Sequence, residues 1–124
     1  MTNKNGRLEG KVAIVVGAGS SGPGIGNGKA TSILFAREGA NVLLVDSDIS
    51  RAQETLSMIE NEGGNADIFQ ADATRIIDSE NMVKLAIDRF GKLDILVNVV
   101  GILGLDTVVD VEEKDWDNVM DVNV

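Results

Sequence analysis

The run Val12-Ala13-Ile14-Val15-Val16 leads through Gly17 into a glycine-studded loop, Ala18 to Gly26, and then into apolar residues at helical spacing. A β-branched strand, a loop with little side-chain cover and a helix form the opening unit of a parallel α/β fold. Bare N–H groups at a helix N-terminus also suit an anion. A second feature narrows the reading: Asp46 closes the next apolar run, twenty residues past Gly26. A carboxylate at that distance can accept ribose hydroxyls, so loop and aspartate together read as a site for NAD.

The rest of the chain continues the same alternation. Val12 to Val16, Asn41 to Val45, Ala66 to Gln70 and Leu93 to Val97 are short runs rich in Val, Ile and Leu and read as strands. Between them, Ile25, Ala30, Ile33 and Leu34, then Ile49, Ala52, Leu56 and Ile59, then Met82, Val83, Leu85, Ala86 and Phe90 recur at three- and four-residue spacing, as on helices. Each candidate helix ends near a glycine: Gly39, Gly63 with Gly64, and Gly91. A βαβαβαβ series with helix-length crossovers predicts an α/β, Rossmann-like, doubly wound parallel sheet. Its four strands should order 3-2-1-4 within a single domain spanning the chain. A fourth helix is expected near Val111, where Asp110 and Glu113 have capping-box spacing.

Two registers compete in the glycine loop. Gly17, Gly19 and Gly22 spell G-x-G-x-x-G, whereas Gly17, Gly24 and Gly26 describe a longer loop ending Gly-Ile-Gly. The first would run a helix through Pro23, Gly24, Gly26 and Gly28, at about 1 kcal/mol per Gly relative to Ala. The second, with a helix beginning near Gly24, is therefore favoured. Ser20 and Ser21 lie inside the loop and join Gly17, Gly24, Ile25 and Gly26 as candidates for cofactor contact. Asp46 repels a 2′-phosphate, and no Arg or Lys occurs from Ala18 to Gly28 to welcome one, so NAD is expected over NADP. Asp46 could instead cap the following helix, a task that Ser47 or Asp48 can also perform.

Composition excludes several classes. Among 124 residues, 11 basic and 20 acidic side chains give a net charge of −9, with nearly all of the excess after Glu62. Nucleic acid and anionic membranes are therefore poor partners. The absence of Cys and His removes thiolate nucleophiles, His-based triads and ordinary zinc sites, and no metal site is expected. No apolar run is long enough to span a bilayer, and the chain is expected to be cytoplasmic.

These residues resemble the short-chain dehydrogenase/reductase family over essentially the whole chain. Gly17, Gly24, Ile25 and Gly26 match its glycine motif, with Val16 in place of the usual Thr and a loop three residues longer than the common form. The resemblance implies adenine contact for Asp72 and its neighbour Ala73. It also implies cofactor contact for Asn98 and Gly101, the outer residues of a fourth-strand motif that here reads Asn98-Val99-Val100-Gly101. Trp116, Val119 and Asp121-Val122-Asn123 look like the family's fourth-helix pattern, which makes Asn123 the one catalytic-group member present. The family's Ser and Tyr-x-x-x-Lys have no counterpart here, and the chain contains no Tyr. The resemblance thus implies the dinucleotide-binding half of an oxidoreductase for alcohols or carbonyl compounds, with turnover by this chain alone absent or very slow. A non-catalytic nucleotide-binding or protein-interaction module is the alternative. In either case, the apolar strand Leu93 to Val97 should form an exposed sheet edge, and the chain is expected to self-associate through that edge or through the apolar face of Val111 to Val124.

Overall fold

The computed structural model describes residues 6–19, 26–72 and 75–99. Its elements are β1 (Val12–Val16), α1 (Asn27–Arg37), β2 (Asn41–Asp46), α2 (Ile49–Asn61), β3 (Asn65–Gln70), α3 (Ile76–Phe90) and β4 (Ile95–Asn98). The strands pair in parallel in the order β3-β2-β1-β4, as the alternation predicts.

The central strands β1 and β2 have both faces covered, which is why their sequences are almost continuously apolar. Successive side chains leave opposite faces of a strand. Val15, Val42 and Leu44 therefore pack with Ile33 and Ala36 of α1 and with Ala52 and Ile59 of α2. Their neighbours Ile14, Val16, Leu43 and Val45 pack on the other side with Met82 and Ala86 of α3. Helices on both faces make the sheet doubly wound, and all strand C-termini lie along one edge. The glycines following the helices have the left-handed backbone expected of them, with φ of 95° at Gly39, 81° at Gly63 and 89° at Gly91.

Several expectations shift. The first helix begins at Asn27, not near Gly24: Gly26 is its N-cap, in extended conformation at φ −81° and ψ 177°. The inward face of α1 is also less apolar than its periodicity suggests. Lys29, Ser32, Ile33 and Ala36 are buried, whereas Leu34 is exposed. Ser32 is accommodated because its hydroxyl donates to the Gly28 carbonyl at 2.8 Å. Lys29 is accommodated because its ammonium meets Glu54 Oε1 at 3.1 Å. In α3 only Met82 and Ala86 are fully covered, while Val83 and Ile87 face outward.

The last strand begins two residues later than its apolar run. Asp94 ties its start to β1: the Asp94 N–H donates to the Val12 carbonyl, and the Asp94 carboxylate accepts from the Val12 N–H, both at 2.9 Å. The expected helix near Val111 lies outside the described residues.

Candidate functional site

The parallel register places the sequence candidates along the C-terminal edge of the sheet. Val16 is level with Val45 and with Asn98, and Asp46 is level with Gln70. Gly17 thus emerges between Asp46 on one side and Asn98 on the other, with Asp72 just beyond the end of β3. The first crossover goes from β1 to β2, whereas β4 lies on the opposite side of β1. The crevice above β1 is therefore the switch point at which open α/β sheets take their ligands.

Backbone geometry gives the start of the glycine loop its shape. Gly17 has φ +87°, a conformation open to glycine and strained for other residues. The Gly17 and Ala18 N–H groups both donate to the Val45 carbonyl, at 2.8 and 3.1 Å, and the Gly19 N–H donates to Asp46 Oδ2 at 3.0 Å. The N–H groups of residues 17 to 19 are thus committed to β2. The donors suited to an external anion lie on the other side of the loop, in the first turn of α1, where the first backbone bond runs from Ala30 to Gly26.

The charge pattern of the helices supports that assignment. Asp48 caps α2, its carboxylate accepting from the Ser50 N–H at 3.0 Å, and the bond from the Ser50 hydroxyl, with this backbone bond second, holds the Asp48 carboxyl below its usual range. α3 carries Asp78 in its first turn. α1 has neither a side-chain cap nor an acidic residue in its first turn, so its positive end is not neutralised from within the helix.

Asp46 is 8 % exposed, and each of its oxygens accepts one backbone N–H: Oδ2 from Gly19 and Oδ1 from Asp48 at 2.9 Å. The N-cap of α2 is Asp48, so Asp46 is not occupied as that cap. A carboxylate offers about four acceptor positions, of which the donors among the described residues use two. Asn98 closes β4 next to Val16, and the Val99 N–H donates to the Val16 carbonyl at 3.0 Å. On the other flank, the Asp72 N–H donates to Asp78 Oδ2 at 2.9 Å, and the Gln70 side chain donates to the Ser47 carbonyl at 3.0 Å, joining the segments that follow β2 and β3. Ser20, Ser21, Gly24, Ile25, Ala73, Gly101 and Asn123 lie outside the described residues.

Sequence reasoning passed over Gly28. A Cβ at that position would run into the Gly17 carbonyl oxygen and come within 2.7 Å of Val99 Cγ2, so the first turn of α1 rests directly on the end of β1. This is the close helix–strand approach that the last glycine of a dinucleotide fingerprint permits. The signal was present as Gly26-Asn27-Gly28, a glycine beyond the register Gly17, Gly24 and Gly26. Gly19 is likewise pressed by its surroundings, since a Cβ there would meet Arg51 Cβ of α2.

The fold and this edge are those of the short-chain dehydrogenases, and the chain belongs to that family: the family model described as short chain dehydrogenase matches residues 11–124. An uncharacterised oxidoreductase of Thermotoga maritima is 38% identical over 117 residues, covering 94% of this chain and 44% of the relative. Glucose 1-dehydrogenase 2 of Bacillus subtilis is 37% identical over 119 residues, covering 94% and 44%. A crystal structure described as a short-chain dehydrogenase/reductase from Burkholderia xenovorans superposes with a TM-score of 0.92 at 40% identity, covering 96% of this chain and 47% of that one. The chain spans about half the length of the relatives it matches. Among the described residues, no helix is long and apolar enough to cross a membrane.

Proposed function

We propose that the chain supplies the dinucleotide-binding half of an NAD-dependent oxidoreductase that interconverts an alcohol and a carbonyl compound. Asp46 carries the choice of NAD. It ends β2 beside the glycine turn, is oriented by two backbone donors and keeps acceptor capacity for ribose hydroxyls, while its charge opposes a 2′-phosphate. Gly28 lets the first turn of α1 sit directly on the end of β1, and that turn, with no acidic residue in it, offers N–H groups and a positive potential to a pyrophosphate. The bound nicotinamide would supply the hydride. Asp72 and Asn98 flank the crevice on either side, in keeping with roles toward the adenine and the nicotinamide ends. The family resemblance assigns proton transfer to a Tyr, and these 124 residues contain none, so turnover by them alone is expected to be absent or very slow.

Titration with NADH and with NADPH, followed by Trp116 fluorescence and by calorimetry, tests this reading. Preference for NADH is expected, and Asp46→Ala should erase it. Preference for NADPH by the unsubstituted chain would overturn the Asp46 assignment, and binding of neither would overturn the dinucleotide reading.

A second reading is favoured by the sheet edge at β4, where Leu96 is 61 % exposed: the chain acts as a module that pairs with another polypeptide, a copy of itself included. Oxidoreductase activity that arises only on mixing with a partner chain would distinguish it.

A further inference from the structure

The peptide unit joining Ala18 to Gly19 is held at both ends by side chains. Its carbonyl oxygen accepts from Thr55 Oγ1 at 2.9 Å, and its N–H donates to Asp46 Oδ2 at 3.0 Å. Thr55 is fully buried in α2, 37 residues away in sequence, and Ala18 is fully buried as well. The Thr55 hydroxyl also lies 3.4 Å from the Arg51 carbonyl in its own helix, the usual resting place of a helical Thr, but its shorter bond reaches across to the loop.

The same turn of α2 meets the loop region at two further points. Arg51 Cβ fills the space that a side chain on Gly19 would need. Glu54 Oε1 receives the ammonium of Lys29, which is 3 % exposed and sits on the far side of the loop in the first turn of α1. One helical turn, Arg51 to Thr55, therefore braces both flanks of the glycine loop.

We propose that Thr55 is a positioning residue for the dinucleotide site, setting the orientation of the Asp46 carboxylate through the Ala18–Gly19 peptide. The inference rests on the reading of this edge as a dinucleotide site. A peptide unit is planar, with its C=O and N–H pointing in opposite directions, so a donor that fixes the Ala18 oxygen also fixes where the Gly19 N–H aims. That N–H is one of the two donors that hold Asp46. Remove the hydroxyl and a buried carbonyl loses its donor, which drives the peptide to turn. Gly19, lacking a side chain, offers little resistance to that turn. Of its donors among the described residues, Asp46 then keeps the Asp48 N–H and swings away from the pose that meets a ribose.

The test compares Thr55→Val, which keeps the shape and removes the hydroxyl, with Thr55→Ser, which keeps the hydroxyl and removes a methyl group. Each is titrated calorimetrically with NADH, and amide exchange is measured at Gly19. Thr55→Val should bind NADH about tenfold more weakly, the loss expected for one hydrogen bond, while Thr55→Ser stays within about twofold of the unsubstituted chain. The Gly19 amide should exchange faster in the Val variant and stay protected in the Ser variant. A role in packing alone would make Ser at least as damaging as Val, and that result overturns the proposal. So does a folded Val variant that binds NADH as tightly as the unsubstituted chain. Should Thr55→Val fail to fold, Thr55→Cys, with its weaker S–H donor, replaces it: a loss of several fold is expected, and unchanged affinity overturns the proposal. If the unsubstituted chain binds neither NADH nor NADPH, this inference falls with the dinucleotide reading, whereas normal binding with an indifferent Thr55 overturns this inference alone.

Discussion

At the scale of single residues, glycine and aspartate do more here than their helix and loop preferences suggest. In an exposed helix interior, Gly→Ala gains about 1 kcal/mol. At position 28 the sign reverses, because the added methyl meets the Gly17 carbonyl and α1 has to move off the strand. Gly28→Ala should destabilise the chain by about 1–3 kcal/mol, in the range of overpacked sites, and a thermal melt with a parallel NADH titration should show both the lower midpoint and weaker binding. Asp94 offers a second test. Its bond from the Val12 N–H, helped by Lys92, lowers its carboxyl below the usual range. A carboxyl depressed in the folded state adds stability that is present above its unfolded pKa of about 3.9 and is lost as pH falls through the lower, folded value. Asp94→Asn should therefore be less stable than the unsubstituted chain at pH 7, and the gap should close in denaturant melts run progressively below about pH 4.

Among the elements, the strands were the most legible and the first helix the least. β1 and β2 announce themselves because burial on both faces demands unbroken apolar sequence, and the glycines after the helices mark their ends almost to the residue. The inward face of α1 could not be read from hydrophobicity, since Ser32 is satisfied by its own helix and Lys29 by Glu54 on a neighbouring one. The second of these pairings exists only once α1 and α2 are packed. Thr55 escaped for the same reason: its spacing from Ala52 and Ile59 puts it on the inward face of α2, but its partner is 37 residues away and no local pattern points to it. The place of Asp46 at a strand end, by contrast, was legible, although its hold on Gly19 was not visible in the sequence. The two central strands carry the core, and Leu43, wholly buried between β1 and α3, is a fair probe of it. Leu43→Ala should cost about 2–5 kcal/mol in denaturant unfolding, with the spread set by how far Met82 and Ala86 can close on the space.

For the molecule as a whole, the sheet order leaves β4 paired on one side only among the described residues, with Leu96 exposed along it. A parallel strand normally finds partners on both sides, and an apolar edge without a Lys or Pro to blunt it tends to find one elsewhere. The chain is expected to sediment as more than a monomer as its concentration rises, and Leu96→Lys should move it back toward the monomer. A series that shows only monomer at every concentration would remove the pairing-module reading. The dinucleotide reading would be unaffected, because Asp46 and the start of α1, which carry it, lie away from the outer edge of β4.

The double attachment of Asp46 also bears on redesign. Exchanging the carboxylate at the end of the second strand is the obvious way to convert a protein of this kind from one coenzyme to the other. Here the same carboxylate receives the Gly19 N–H, so on the proposed reading the exchange would alter the charge that meets the ribose and loosen the turn after β1 in one step. A successful conversion would have to leave Asp46 in place and add a cation beside it, or restore an acceptor for Gly19 from another side chain. In this chain, the charge at the end of β2 and the shape of the turn after β1 are not separate variables.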